Sequence, residues 1–314
     1  MKKILCALFL ILCTLSSCAA NPSDADEEKL TVVCTVFPAY DWVREILGEN
    51  PGNAELILLA ENGEELHSFQ PSADDFIKIY DCDLFLCVGG ESDRWTERFL
   101  GEREKGTIRL LDLLRESVKT EEIIDGMESE SDETEDDEHV WLSLNHAKTA
   151  VSAIAEELSA IDPENAAVYG QNAAAYREKL DALDGEYRSA AENAEKPAIL
   201  FGDRFPFRYL TDDYGIAYYA AFPGCSTETE ASFETVIFLA EKADELGLDV
   251  ILTIEGSDRR IAEAIAQNTK EKNQSILTLD SMQSVTAEAA ESGTTYLSIA
   301  RENLGVLKKA LGTE

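Results

Sequence analysis

The chain has 314 residues, with 62 Asp and Glu against 27 Lys and Arg and a formal net charge of −35 at neutral pH. A surface this acidic repels nucleic acid and anionic headgroups and attracts cations, which excludes nucleic-acid partners. The length suffices for two lobes of ordinary domain size.

The chain begins MKKILCALFLILCTLSSC, with two lysines, an apolar run over 4–12 and then Leu15-Ser16-Ser17-Cys18. The run is too short for a transmembrane helix and fits a secretory leader over 1–17. Leu-Ser-Ser-Cys matches the bacterial lipobox, so Cys18 is the expected lipid attachment site and first mature residue. The localisation this predicts is extracytoplasmic, anchored to the cell membrane by lipid. Residues 18–29 are small, polar and acidic, the composition of a flexible spacer. No second apolar run approaches membrane length, so the mature body is expected to be soluble.

Residues 30–161 form the first expected lobe. Strands are predicted over 30–36, 54–59 and 84–88, with helices over 39–47 and 72–80, an alternation that argues for a largely parallel sheet. From Glu121 to Glu138 the chain carries eleven acids and no base, which predicts a solvated loop. A helix is expected over 147–158. Asp162 and Pro163 then read as N-cap and first helical position of a long helix whose pattern runs over 164–192. At about 1.5 Å per residue that helix spans about 40 Å, the length of a lobe. Pro197 stops it. The segment 162–193 is thus read as a linking helix and 194–314 as a second α/β lobe. Its strands are predicted over 198–201, 216–220, 250–253 and 276–279, and its helices over 233–246, 259–269 and 295–311. The predicted fold is two α/β lobes with parallel-type sheets joined by one long helix, to which the resemblance described below adds that the helix is rigid and that a metal site lies in the cleft.

Beyond Cys18 lie Cys34, Cys82, Cys87 and Cys225, with no Cys-x-x-Cys pair. In an exported protein they read as buried thiols or a disulfide rather than a zinc–thiolate site. Cys34 and Cys87 sit in apolar, strand-like runs and are expected to be buried. The chain has three histidines, His67, His139 and His146. His67 follows a predicted strand and precedes a helix, and His139 occupies a matching place at the end of the acidic tract. Loops at strand ends hold ligands in α/β proteins, so two neutral imidazoles from distant loops can meet on one cation. The ordinary fate of a single loop histidine is surface or cap, and Trp141 reads equally as core.

Four motifs in combination resemble the zinc- and manganese-binding solute receptors of metal ABC importers. They are His67-Ser68-Phe69-Gln70-Pro71-Ser72, His139-Val140-Trp141-Leu142, Asp162-Pro163-Glu164-Asn165, and Asp280 ahead of a helix with Tyr296-Leu297. The resemblance covers nearly the whole mature chain and implies one divalent metal held between the lobes. It implies His67, His139 and Asp280 as ligands. His146 falls where the family usually has asparagine, and reads as a cap or surface residue. The family's fourth ligand, a histidine or glutamate before an aromatic helix, falls on Arg204, whose guanidinium cannot bind a metal. Asp203 is the nearest competent donor and Glu255 the other candidate, with Asp203 ranked first. This donor set suits Zn²⁺ ahead of Mn²⁺. The implied function is metal capture and delivery to a cognate ABC permease by a monomer, without catalysis. The acidic tract, where zinc receptors of the family often carry a histidine-rich loop, is expected to gather cations or only to add solubility. A metal-dependent hydrolase is the alternative, although the chain has no H-E-x-x-H pair and no spare histidine as base. A surface adhesin is the other.

Overall fold

Short apolar runs separated by amphipathic segments build two four-stranded parallel sheets. The computed structural model describes residues 29–48, 54–100, 106–129, 135–226, 228 and 230–314. The leader, Cys18 and the spacer through residue 28 lie outside the described residues. In the first lobe β1 (Leu30–Cys34) leads to α1 (Phe37–Leu47), β2 (Ala54–Leu58), α2 (Ala73–Asp81), β3 (Leu84–Cys87), α3 (Glu97–Leu100), β4 (Thr107–Arg109) and α4 (Leu110–Leu113). The sheet order is β2-β1-β3-β4, with every neighbour parallel. The middle strand β3 is buried throughout, as a parallel strand covered on both faces must be. Ser72 starts α2 by a capping box, its hydroxyl accepting from the Asp75 N–H while Asp75 accepts from the Ser72 N–H. The edge strand β4 was not expected, because three residues are too few to show a period.

Two helices follow, α5 (Leu144–Ile161) and α6 (Ala166–Glu192). The expected cap at Asp162 is corrected: α6 begins three residues later than expected, with Asn165 as its N-cap. The Asp162 carboxylate accepts instead from Asn165 Nδ2 and Tyr169 Oη, each at 2.7 Å, and closes the turn between the two helices. The second lobe then runs β5 (Ala198–Phe205), α7 (Arg208–Tyr214), β6 (Ala217–Pro223), α8 (Phe233–Leu246), β7 (Val250–Thr253), α9 (Arg260–Asn268), β8 (Ser275–Thr278), α10 (Ala287–Glu291) and α11 (Tyr296–Leu311). Its sheet order is β6-β5-β7-β8, again parallel. Strand β5 runs four residues beyond the expected end, and its register against β6 shifts between Phe201 and Arg204. That irregularity carries Asp203.

The lobes share one core. Helix α6 packs on α1 through Asn172 Nδ2, which donates to Ile46 O at 2.9 Å, and on α11 through Tyr187 Oη, which donates to Ala300 O at 2.6 Å. Tyr296 donates its N–H to Asp41 Oδ2 and its hydroxyl to Trp141 O, and Trp141 Nε1 donates to Ser281 O. These bonds join α1, the loop after His139 and the far end of the second sheet, so the base of the cleft is fixed by buried polar contacts. Cys34, Cys82 and Cys87 are buried and Cys225 is half-buried, and none of the four is in a disulfide. Among the described residues no helix is long and apolar enough to cross a membrane.

The described part of the acidic tract is a largely exposed or half-buried loop, but its carboxyl end is buried and is not the solvated chain expected. Thr120 bridges Asp136 in antiparallel fashion, and the Glu128 N–H donates to Ala221 O at 2.9 Å while its carboxylate accepts from the Ser232 N–H. Asp137 and Glu138 are only 2% and 1% exposed. The ends of the tract are folded because their carboxylates find specific donors. Residues 130–134 lie outside the described residues.

Candidate metal centre

His67 and His139 come from opposite ends of the first lobe's sequence and meet with their Nε2 atoms 3.4 Å apart. His67 sits in the 3-10 turn Leu66–Ser68 after β2, where buried Leu66 roots the turn in the core. Its Nδ1 lies 2.8 Å from Ser92 Oγ. His139 is fully buried at the start of the 3-10 turn Val140–Leu142, between the Trp141 ring and Gly224. Asp137 Oδ1 accepts from the His139 backbone N–H at 2.9 Å and lies 2.8 Å from its Nδ1. This carboxylate holds the proton on Nδ1 and turns the Nε2 lone pair toward His67.

The electrostatics of the two rings differ. Burial, then the neighbouring His139 and Arg204, push His67 down to about 3, so it stays a neutral donor across the physiological range. Burial also opposes charge on His139, but the Asp137 hydrogen bond and the charges of Asp137, Glu138 and Glu121 outweigh it and raise its pKa. Glu138 accepts from the Ser92 N–H at 2.9 Å, and Gly90 is required beside it because a Cβ there would lie 2.3 Å from Glu138 Oε1.

The side chain that stands beside the two imidazoles is Cys225 rather than one of the expected carboxylates. Ligand atoms of His67, His139 and Cys225 all lie within 4.8 Å of one another, the one such group of three or more among the described residues. Cys225 follows β6, and Gly224 lets its loop lie against the His139 ring: a Cβ at 224 would be 3.0 Å from His139 Cε1 and from Phe205 O. The Cys225 N–H donates to Glu121 Oε1 at 2.7 Å. Burial first, then the Glu121 charge, raise the thiol pKa strongly. Sequence reasoning set thiolate ligation aside for want of a Cys-x-x-Cys pair. The available signal was positional, since Pro223-Gly224-Cys225 directly follows an apolar strand at the carboxyl end of a parallel sheet.

Asp203 lines the same cleft as His67, a space of about 640 Å³ also bordered by Arg204 and Glu255. Its Oδ1 accepts from the Arg204 N–H at 2.9 Å, and its buried Oδ2 has no hydrogen-bond partner among the described residues. Arg204 pairs across the cleft with Glu65 Oε1 of the first lobe at 2.5 Å and donates to Ser226 O of its own lobe at 3.3 Å. Asp280 stands just past β8, where burial and then the Glu255 charge push it up to about 6. Glu255 itself accepts from the Ser281 N–H at 2.7 Å and from Ser281 Oγ at 2.5 Å, a structural use of its carboxylate. Neither Asp203 nor Asp280 belongs to the group of three. His146 lies apart, its Nδ1 3.1 Å from Val140 O and its ring against Tyr209.

Two parallel-sheet lobes with a buried imidazole pair facing the cleft define a solute-binding protein of the metal-binding class. The model of the zinc-uptake complex component A, periplasmic (ZnuA), matches residues 32–310, and the chain belongs to that family. The zinc-binding lipoprotein AdcA of Streptococcus pneumoniae serotype 4 is 31% identical over 325 residues, covering 100% of this chain and 62% of the relative. The chain therefore spans less than two thirds of that relative's length. The high-affinity zinc uptake system protein ZnuA of Bacillus subtilis is 28% identical, covering 98% of this chain and 96% of the relative. The crystal structure of the Zn(II)-bound ZnuA-like domain of Streptococcus pneumoniae AdcA superposes with a TM-score of 0.70 at 28% identity, covering 90% of this chain and 99% of that one.

Proposed function

We propose that this chain is an extracytoplasmic receptor that captures Zn²⁺ and delivers it to a cognate ABC permease, tethered to the membrane as a monomer by lipid on Cys18. The supporting observation is the imidazole pair. Two Zn–N bonds of about 2.0–2.1 Å at a tetrahedral angle set the nitrogens about 3.3 Å apart, and His67 and His139 hold theirs at 3.4 Å. Binding alone serves this function, with the lobes 30–161 and 194–314 and the linking segment 162–193 as the expected units. Asp203 and Asp280, at strand ends of the second lobe, are the proposed carboxylate donors. Titration of chelator-stripped protein with zinc tests the reading. One ion bound per chain, without turnover in an esterase and phosphatase screen, is the expected result; no stoichiometric binding defeats it. Asp203→Ala and Asp280→Ala are expected to weaken binding and His146→Ala to leave it unchanged, and a carboxylate variant with parental affinity removes that residue from the ligand set.

The acidic tract has a more local role in this reading than cation gathering. Asp137 orients His139, so Asp137→Asn is expected to lower zinc affinity about 10–100-fold, the usual loss when an outer partner of a ligand is removed. The loss belongs to the dissociation rate and survives high salt. A slower association rate that vanishes at high salt would instead make Asp137 a steering charge.

A further inference from the structure

We propose that Cys225 binds the captured ion directly as a thiolate, completing a two-imidazole, one-sulfur face that selects zinc against manganese. The inference rests on the zinc-receptor reading and deepens it. Three observations carry it. The thiol belongs to the group whose donor atoms all lie within 4.8 Å of one another. With a Zn–S bond of about 2.3 Å, tetrahedral geometry sets nitrogen and sulfur about 3.6 Å apart, so each N–S separation, at most 4.8 Å, needs to close by no more than about 1.2 Å. The loop that carries the thiol is built for this approach, because Gly224 lies on the His139 ring where a side chain would not fit, and Glu121 pins the Cys225 backbone. Finally, two polar side chains that border the cleft are engaged elsewhere: Arg204 is paired with Glu65, and Glu255 is consumed by Ser281.

On binding, the S–H bond breaks as the metal–sulfur bond forms, and the proton leaves to solvent past Glu121, the adjacent carboxylate. No oxidation is involved. The consequence is selectivity: thiolate sulfur is a soft donor suited to zinc, whereas manganese is served by carboxylate, carbonyl and water oxygens. A receptor with only imidazoles and carboxylates relies on the intrinsic order of metal affinities, and the sulfur sharpens it.

The test uses the full chain and its Cys225→Ser variant, loaded with Co²⁺ as a spectroscopic substitute and with Zn²⁺ and Mn²⁺ for affinity. The parent Co²⁺ complex is expected to show a near-ultraviolet sulfur-to-cobalt charge-transfer band that Cys225→Ser lacks. The variant is expected to lose zinc affinity by more than about 100-fold, beyond the loss from an outer partner, while manganese affinity changes much less, so the two metals are discriminated less well. The band is read on the parent, so the proposal stays testable even where the variant folds poorly. A parent that binds zinc tightly but shows no such band, or a folded variant with parental zinc affinity, overturns the thiolate and leaves the receptor reading standing. A parent that binds no zinc overturns both.

Discussion

Replacing His67 by alanine should lower zinc affinity by more than about 100-fold, since a direct ligand contributes more than the outer partners whose loss costs about 10–100-fold. His67 is the cleaner of the two histidine tests. It sits on a half-buried turn whose anchor is Leu66, so the fold does not depend on its ring. His139 is different, and the expectation that it is merely a loop ligand needs correcting. It is fully buried against Trp141 and Gly224 and satisfies Asp137, which is itself 2% exposed. Alanine there takes the ring partner from Asp137 Oδ1, which keeps only the backbone N–H of residue 139, a loss of about 0.5–1.5 kcal/mol on top of the missing ligand. His139→Gln fills most of the volume and separates binding from stability. Calorimetric titration checks both positions, and parental affinity in a folded His67→Ala protein would remove the imidazole pair as the binding site.

The elements with strong periodicity were legible in the sequence, and so was the family. Strand β7 and helix α8 have the bounds expected, because each is an apolar run closed by evident polar or glycine punctuation. What could not be read was set by tertiary context. The extension of β5 to Phe205 depends on pairing with β6 across a register shift, and no local pattern announces that. The acidic tract was misjudged for a related reason. Charge runs are usually solvated, but Asp137, Glu138, Glu121 and Glu128 each accept a hydrogen bond from a specific donor, and that offsets part of the cost of burial. At the site, scarcity and position made the two histidines candidates, but it was the family resemblance that implied them as ligands. Cys225 was missed because a thiol was sought as a pair within the sequence, whereas the potential ligand atoms that lie near this sulfur are imidazole nitrogens far away in the chain.

As pH falls from 8 to 5, Asp93 should contribute a gain in the stability of the zinc-free protein, opposed by the loss from the buried neutral His67. Asp93 sits on the turn after β3 and is 1% exposed. Its Oδ2 accepts from the Val88 N–H at 2.6 Å and the Gly89 N–H at 3.2 Å, which fixes the turn from which Ser92 reaches both His67 and Glu138. Its Oδ1 has no hydrogen-bond partner among the described residues. Burial, augmented by the Glu138 charge against the two backbone donors, pushes the carboxyl up to about 6 from an ordinary 3.8. Below about pH 4 the group is neutral whether the chain is folded or not, and folding carries no charge penalty from it. Above about pH 6 it is ionised in both states and the penalty is full, on the order of 3 kcal/mol. About half of that is recovered by pH 5; going lower approaches the isoelectric point near 4.3, where the chain would associate. Asp93→Asn keeps an oxygen for Val88 and Gly89 but cannot ionise, so its profile lacks this component, while acids not coupled to Asp93, unlike Glu138, contribute alike to both proteins. Urea unfolding of parent and variant at pH 8 and pH 5 should therefore show the parent gaining on the variant by about 1.5 kcal/mol on acidification. Parallel profiles would mean that Asp93 is solvated or paired in the folded protein, and that the turn holding Ser92 against His67 is stabilised without a buried charge.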